Sequence, residues 1–197
     1  MVPLASTVSS YMILSQEQEE LFRDDPNQFI SNEDDEGSFR NIRSSCLDLL
    51  SQLVESFGDD GLEAIMLVVD HILVGRAAAL QAAAASASVA GMDWGSAETY
   101  ESTNPKHAWK RKEVALLILG SSSDDIQTYR SRRKFDAPSI FTNIILNEQL
   151  YANVDPLFLP FLHGRAVQCA AELSELLPQG DQLCYRVFEF AIACLQP

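Results

Sequence analysis

The chain has 197 residues and a mass of 21.8 kDa, enough for one large domain or two small ones with a substantial core. At 47% hydrophobic and 21% charged residues it falls outside the disordered class, and no apolar run reaches the ~20 residues of a membrane span. Lys and Arg total 14 against 28 Asp and Glu, a formal charge of −14, which argues against nucleic acid or anionic membrane and for basic proteins as partners.

Residues 1–10 read as a polar N-terminal tail carrying only Val2, Leu4 and Val8, without the basic start of a secretory signal. A soluble, intracellular chain is therefore expected. Ser15 and Gln18 form a capping-box pattern, and the helix they open should stop near Asp24, because Pro26 disfavours helical geometry at Asp25. Residues 31–37 read as an acidic loop. Beyond it, Ile42, Cys46, Leu49, Leu50, Leu53 and Phe57 recur at steps of three and four, predicting an amphipathic helix closed by Gly58. Asp59, Asp60 and Gly61 then make a tight turn into a second such helix, marked by Leu62, Ile65, Met66, Val69, Ile72 and Leu73. So short a connection predicts an antiparallel hairpin.

The Ala-rich stretch 77–90 extends this helix on propensity, and a loop or insert occupies 86–105. Pro105 suits the first turn of a helix running through Trp109, Leu116, Leu117 and Leu119 to Gly120. Residues 121–136 are polar and only partly helical. Pro138 opens a stretch holding Ile140, Phe141, Ile144, Ile145 and Leu146. Pro160 opens another, in which Phe161, Leu162, Ala166, Val167, Ala170, Leu173, Leu176 and Leu177 make the buried stripe. Asp181 caps a last helix bearing Leu183, Tyr185, Val187, Phe188, Ala191 and Leu195. No alternating strand pattern is bounded by turn residues on both sides. The expected fold is all-α, with residues 11–197 forming a HEAT-type helical-repeat solenoid segment of about four helix hairpins. A closed bundle is the alternative. The solenoid is preferred because several helices look apolar on two faces, as stacking on both neighbours requires.

Charge is unevenly spread. Residues 1–36 hold nine acidic side chains and one basic one, Arg23, whereas 106–134 hold eight basic and three acidic. The order Tyr11-Met-Ile-Leu-Ser-Gln-Glu-Gln-Glu, Asp24-Asp25-Pro26-Asn27-Gln28-Phe29-Ile30, the acidic Glu33, Asp34, Asp35 and Glu36, and then Leu47-Asp48-Leu49-Leu50 resembles the middle of karyopherin-β (importin-β) nuclear transport receptors. His107-Ala108-Trp109-Lys110 and Pro160-Phe161-Leu162-His163-Gly164-Arg165-Ala166 resemble further blocks of that family, in the same order, over roughly residues 11–177. The Ala-rich insert and the Ser-Arg-Arg-Lys tract depart from it, and its Ran-binding repeats have no counterpart. The resemblance implies a piece of a HEAT solenoid that carries basic cargo such as core histones and shuttles between cytoplasm and nucleus. Ran GTPase would bind through repeats outside this chain, with nucleoporins as further partners.

For chemistry the inventory is thin. His71, His107 and His163 stand in separate segments without metal-ligand spacing, and no nucleophile elbow, phosphate-binding loop or dinucleotide fingerprint occurs. Neither catalysis nor a cofactor or metal is expected. Cys46, Cys169, Cys184 and Cys194 form no C-x-x-C pair and sit among apolar residues, which predicts buried, reduced thiols.

Four consecutive carboxylates, Glu33, Asp34, Asp35 and Glu36, make the candidate site for basic cargo, since docking Lys or Arg there relieves mutual repulsion. The plainer reading is a solvated loop. The basic tracts 106–112 and 130–134 read first as solvated or paired within the molecule and second as a nucleic-acid patch, with Trp109 in the core. Arg165 is the candidate structural ladder residue, its fork holding a carboxylate or carbonyls of a neighbouring repeat.

Overall fold

The computed structural model describes residues 1–34, 42–74, 108–129, 137–147, 151, 154–177 and 180–195. The Ala-rich stretch, the 86–105 insert, the 130–134 tract, Asp35 and Glu36 lie outside the described residues. All regular structure among those described is helical, in ten helices packed against one another.

The first helix, α1 (Val2–Tyr11), stands where a tail was expected. Pro3 fits the opening turn, and the hydroxyls of Thr7, Ser9 and Ser10 donate to carbonyls three or four residues back, which satisfies them within the helix. Ala5, Val8 and Met12 then fall on one face and are buried against α4 and α5.

Ser15 caps α2 (Gln16–Asp24), with both bonds of the capping box present. Asp25 leaves the helical region, at φ −147° and ψ 86°, but the chain turns straight into α3 (Pro26–Asp34), whose Gln28 amide donates to the Asp25 carboxylate. An Asx cap followed by Pro is a helix start, so residues 31–34 belong to a helix and not to an acidic loop.

Helix α4 (Ile42–Phe57) meets α5 (Asp59–Val74) through Gly58 alone, at φ 58°. Gly58 adopts the left-handed conformation that lets its amide close onto the Val54 carbonyl. At Gly61 a Cβ would stand 2.6 Å from the Leu53 carbonyl oxygen, so only glycine permits this approach of the two helices. The buried stripe of α4 is rotated from the expected one. Arg43, Leu50, Leu53 and Val54 face inward, while Ile42, Leu49 and Phe57 are exposed. The pairing of Arg43 described below draws that face to the core.

Helix α6 (Ala108–Ser121) is the centre of the molecule, packed against α5, α9, α1 and the short α7 (Ser123–Tyr129). Gly120 sits 3.4 Å, measured from a built Cβ, from the Cα of Cys169, which brings α6 and α9 close together. Helix α8 (Ala137–Ile140) widens into a π-helical turn over Phe141–Ile145, where Phe141 and Ile145 are fully buried. Helix α9 (Leu159–Glu172) places Pro160 in its first turn and ends in a tight turn over Ser174–Leu176. Asp181 caps α10 (Gln182–Cys194) by accepting from the Leu183 amide. Only Leu183 and Val187 of α10 are buried, and Tyr185, Phe188 and, just past its end, Leu195 are exposed.

Candidate functional site

The first half of α6 reads Ala-Trp-Lys-Arg-Lys-Glu, a poor sequence for a central helix unless its charges have partners. They do. Glu113 is wholly buried and accepts three bonds: from Arg43 Nη2 to Oε1 at 2.6 Å and to Oε2 at 2.8 Å, and from Arg165 Nε at 2.8 Å. Arg165 also donates from Nη2 to Glu33 at 2.7 Å and from Nη1 to Gln168 at 2.7 Å. Arg43 Nη1 lies 3.3 Å from the other oxygen of Glu33. Two guanidiniums therefore face two carboxylates, and the cluster is neutral. It ties α3, α4, α6 and α9 together, and only Glu33, with 19% of its side chain exposed, meets water appreciably. Burial alone would lower the Arg165 pKa, but the charges and hydrogen bonds of Glu113 and Glu33 outweigh it and hold the guanidinium above its ordinary value.

Beside the cluster, Phe22, Phe29, Phe158, Phe161 and Trp109 pack as one aromatic group. Trp109 stacks on Phe158 with centroids 4.6 Å apart, and the Arg165 guanidinium lies 5.5 Å from the Phe161 centroid. Lys110, buried on the same helix, pairs with Glu19 of α2 and reaches the Leu14 carbonyl. The α2–α3 pair is thus fixed to the core by Lys110–Glu19 at one end, the aromatic group in the middle, and the Glu33 bonds at the other end.

An open groove of about 500 Å³ lies over this junction. Its walls are apolar at Phe22, Ile30, Leu47, Leu117 and Phe161, and Glu33, Arg43 and Arg165 form its polar end.

Of the candidate cargo residues, Glu33 is engaged by Arg43 and Arg165, the backbone of Asp34 ends α3, and Asp35 and Glu36 lie outside the described residues. Arg165 holds two carboxylates from two other helices. Sequence reasoning missed Arg43 and Glu113, while Lys110, in a tract read as solvated or paired within the molecule, is paired with Glu19. The signal was present: Arg43 keeps step with Leu47, Leu50 and Val54, and Glu113 with Trp109, Leu116 and Gly120. A charge in phase with an apolar stripe implies a buried partner elsewhere.

No protein-family model matches this sequence. Among the described residues, no helix is long and apolar enough to cross a membrane, and no three His, Cys, Asp or Glu side chains gather as metal ligands. Burial pushes the Cys169 thiol up to about 12, with Glu172 adding to the rise and Arg165 opposing it, so it stays protonated and unreactive. Cys184, expected in a buried stretch, is exposed. Burial raises the Tyr151 phenol, which donates to the Ile145 carbonyl, and lowers His163, which packs edge-on against Tyr151 and Phe190.

Proposed function

We propose that this chain is a segment of a karyopherin-β nuclear transport receptor, most like the histone-carrying importin nine, and that it binds basic protein cargo. The observation that carries the reading is the acidic exterior of α2–α3. Residues 16–34 hold Glu17, Glu19, Glu20, Asp24, Asp25, Glu33 and Asp34 against Arg23 alone. Glu19 and Glu33 are used internally, whereas Glu17, Glu20, Asp24 and Asp25 are exposed and lead toward Asp34, Asp35 and Glu36 in sequence. Such a field attracts Lys- and Arg-rich surfaces and weakens with salt. The order of the motifs supports a HEAT-type stack, and the all-helical fold agrees with a stack and with a closed bundle alike. Ran-dependent release, nucleoporin contacts and shuttling between cytoplasm and nucleus belong to the whole receptor in this reading.

The test is fluorescence anisotropy with a labelled core-histone dimer, at about 50 and about 300 mM salt, where the screening length differs more than twofold. Affinity should fall steeply between the two. Absence of binding at low salt would sink the proposal. Replacing Asp34→Asn, Asp35→Asn and Glu36→Gln together, leaving Glu33 to its Arg partners, should weaken low-salt binding, and unchanged affinity would remove those three from the mechanism. A second reading, a helical scaffold or chaperone for basic proteins without transport activity, is favoured by the exposed apolar stripe Tyr185, Phe188, Ile192 and Leu195, which suits a fixed helical neighbour.

A further inference from the structure

We infer that the groove between α3, α4 and α9 takes one aliphatic or aromatic side chain of a Lys- or Arg-rich segment, so that basic partners are held by an apolar anchor as well as by charge. This rests on the reading that basic proteins are the partners. The walls supply the anchor site. Ile30 is 49% exposed, Phe22 and Leu47 are half-buried, and with Leu117 and Phe161 they line about 500 Å³ of open space. That is room for a large side chain and part of its backbone. On the α9 wall Gly164 adds no side chain, and a Cβ built there meets no atom within 4 Å.

Charge decides what flanks the anchor. Arg43 and Arg165 lie at the polar end but are matched by Glu113 and Glu33, so the groove offers an anion no uncompensated cation. Pro26, which also lines the groove, directly follows the exposed Asp24 and Asp25 in sequence, and α2–α3 as a whole carries seven acids and one base. An apolar side chain in the groove thus places its neighbours beside carboxylates, and Lys or Arg there is favoured over Asp or Glu.

The experiment uses the full chain and labelled twelve-residue peptides rich in Lys and Arg, identical except for a central Phe or Ala. The Phe peptide should bind about tenfold or more tightly than the Ala peptide, the gain from burying one such side chain. Gly164→Phe fills the groove from α9 without replacing any residue of the cluster and should abolish that preference while leaving Ala-peptide affinity and its salt dependence intact. Ile30→Asp should likewise erase the Phe preference, without weakening the Ala peptide. Equal binding of the two peptides to the unaltered chain overturns the inference, as does a Phe preference that survives Gly164→Phe. A lower melting temperature in Gly164→Phe also overturns it, since the groove would then already be filled by the chain itself. So does a change of oligomeric state, which would make the occupant a second copy. If the histone dimer binds in a salt-sensitive way but the two peptides do not differ, only the groove is wrong. If no basic probe binds, the reading of basic partners falls with it.

Discussion

Helix α6 carries Lys110 and Glu113 and buries both, whereas α10 carries Tyr185, Phe188 and Ile192, with Leu195 at its C-cap, and leaves all four in water. Residue type alone would predict the reverse. The difference lies in what surrounds each helix. Four helices close around α6, and each of its buried charges meets an opposite charge brought from far along the chain: Glu19 for Lys110, Arg43 and Arg165 for Glu113. Helix α10 packs against α9 and the π-turn along one edge, through Leu183, Val187 and Phe190, and no described residue covers the opposite stripe. An ion fully paired in the interior is tolerated, and an aromatic ring without a neighbour stays outside.

The contrast is broken most directly at Glu113. Glu113→Ala leaves two buried guanidiniums with only Glu33 between them, and denaturant titration should show a loss of about 3–5 kcal/mol. Replacing the buried trio together, as Arg43→Met, Glu113→Leu and Arg165→Met, should recover most of that loss, because the desolvation cost of the ions disappears with them. A Glu113→Ala loss below about 1 kcal/mol would mean that water already reaches the cluster.

Arg165→Ala should cost less, about 2–3 kcal/mol, because Arg43 still neutralises Glu113 and only the bonds to Glu33, Gln168 and one Glu113 oxygen are lost. Binding of basic protein by the folded fraction should not change. An unchanged melting temperature with weakened binding would move Arg165 from the frame of the molecule to its partner surface.

The helices were largely legible in the sequence and the charge cluster was not. Caps and spacing are local, so Ser15 with Gln18, Gly58, Pro160 and Asp181 mark ends that the structure places within a residue. Tail 1–10 was misread because its hydroxyls are satisfied within the helix and its few apolar side chains, Ala5 and Val8 with Met12 beyond, gather on one buried face. The stripe of α4 was misread by one residue because Ile42 outranks Arg43 in hydrophobicity, and nothing nearby in sequence announces Glu113, seventy positions away. Arg165 could be singled out from its own helix. Its partners could not, since Glu33 and Glu113 come from two other helices, and Glu33 stood in a run of carboxylates whose local reading is solvation.

His163 probes the edge where α10 is attached, against Tyr151 and Phe190. Burial lowers its pKa, so the unfolded chain binds the proton more readily than the folded one. Its contribution to stability is therefore present above the unfolded value of about 6.5 and is lost as pH falls through the lower folded value. Melting curves of the native chain and of His163→Phe, taken at intervals from about pH 7.5 to about pH 5, should diverge on the acid side, with the native chain losing more. Parallel curves would mean that the His163 ring is solvated and adds nothing to the hold that Leu183, Val187 and Phe190 have on α10.

The smallest expected effect tests the exposed stripe itself. Phe188 is 69% exposed and Val187, its neighbour in the same helix, is 8% exposed. Ser and Phe have similar helix propensities, so Phe188→Ser reports the surroundings of the ring and little else. It should change stability by no more than about 0.5 kcal/mol, while Val187→Ala, removing two methyl groups from a packed site, should cost about 1–2 kcal/mol. A larger residue with the smaller effect is what an uncovered face requires. If Phe188→Ser instead costs as much as Val187→Ala, the outer stripe is packed in solution. A concentration-dependent melting temperature would then assign the cover to a second copy, and a concentration-independent one to the chain's own residues.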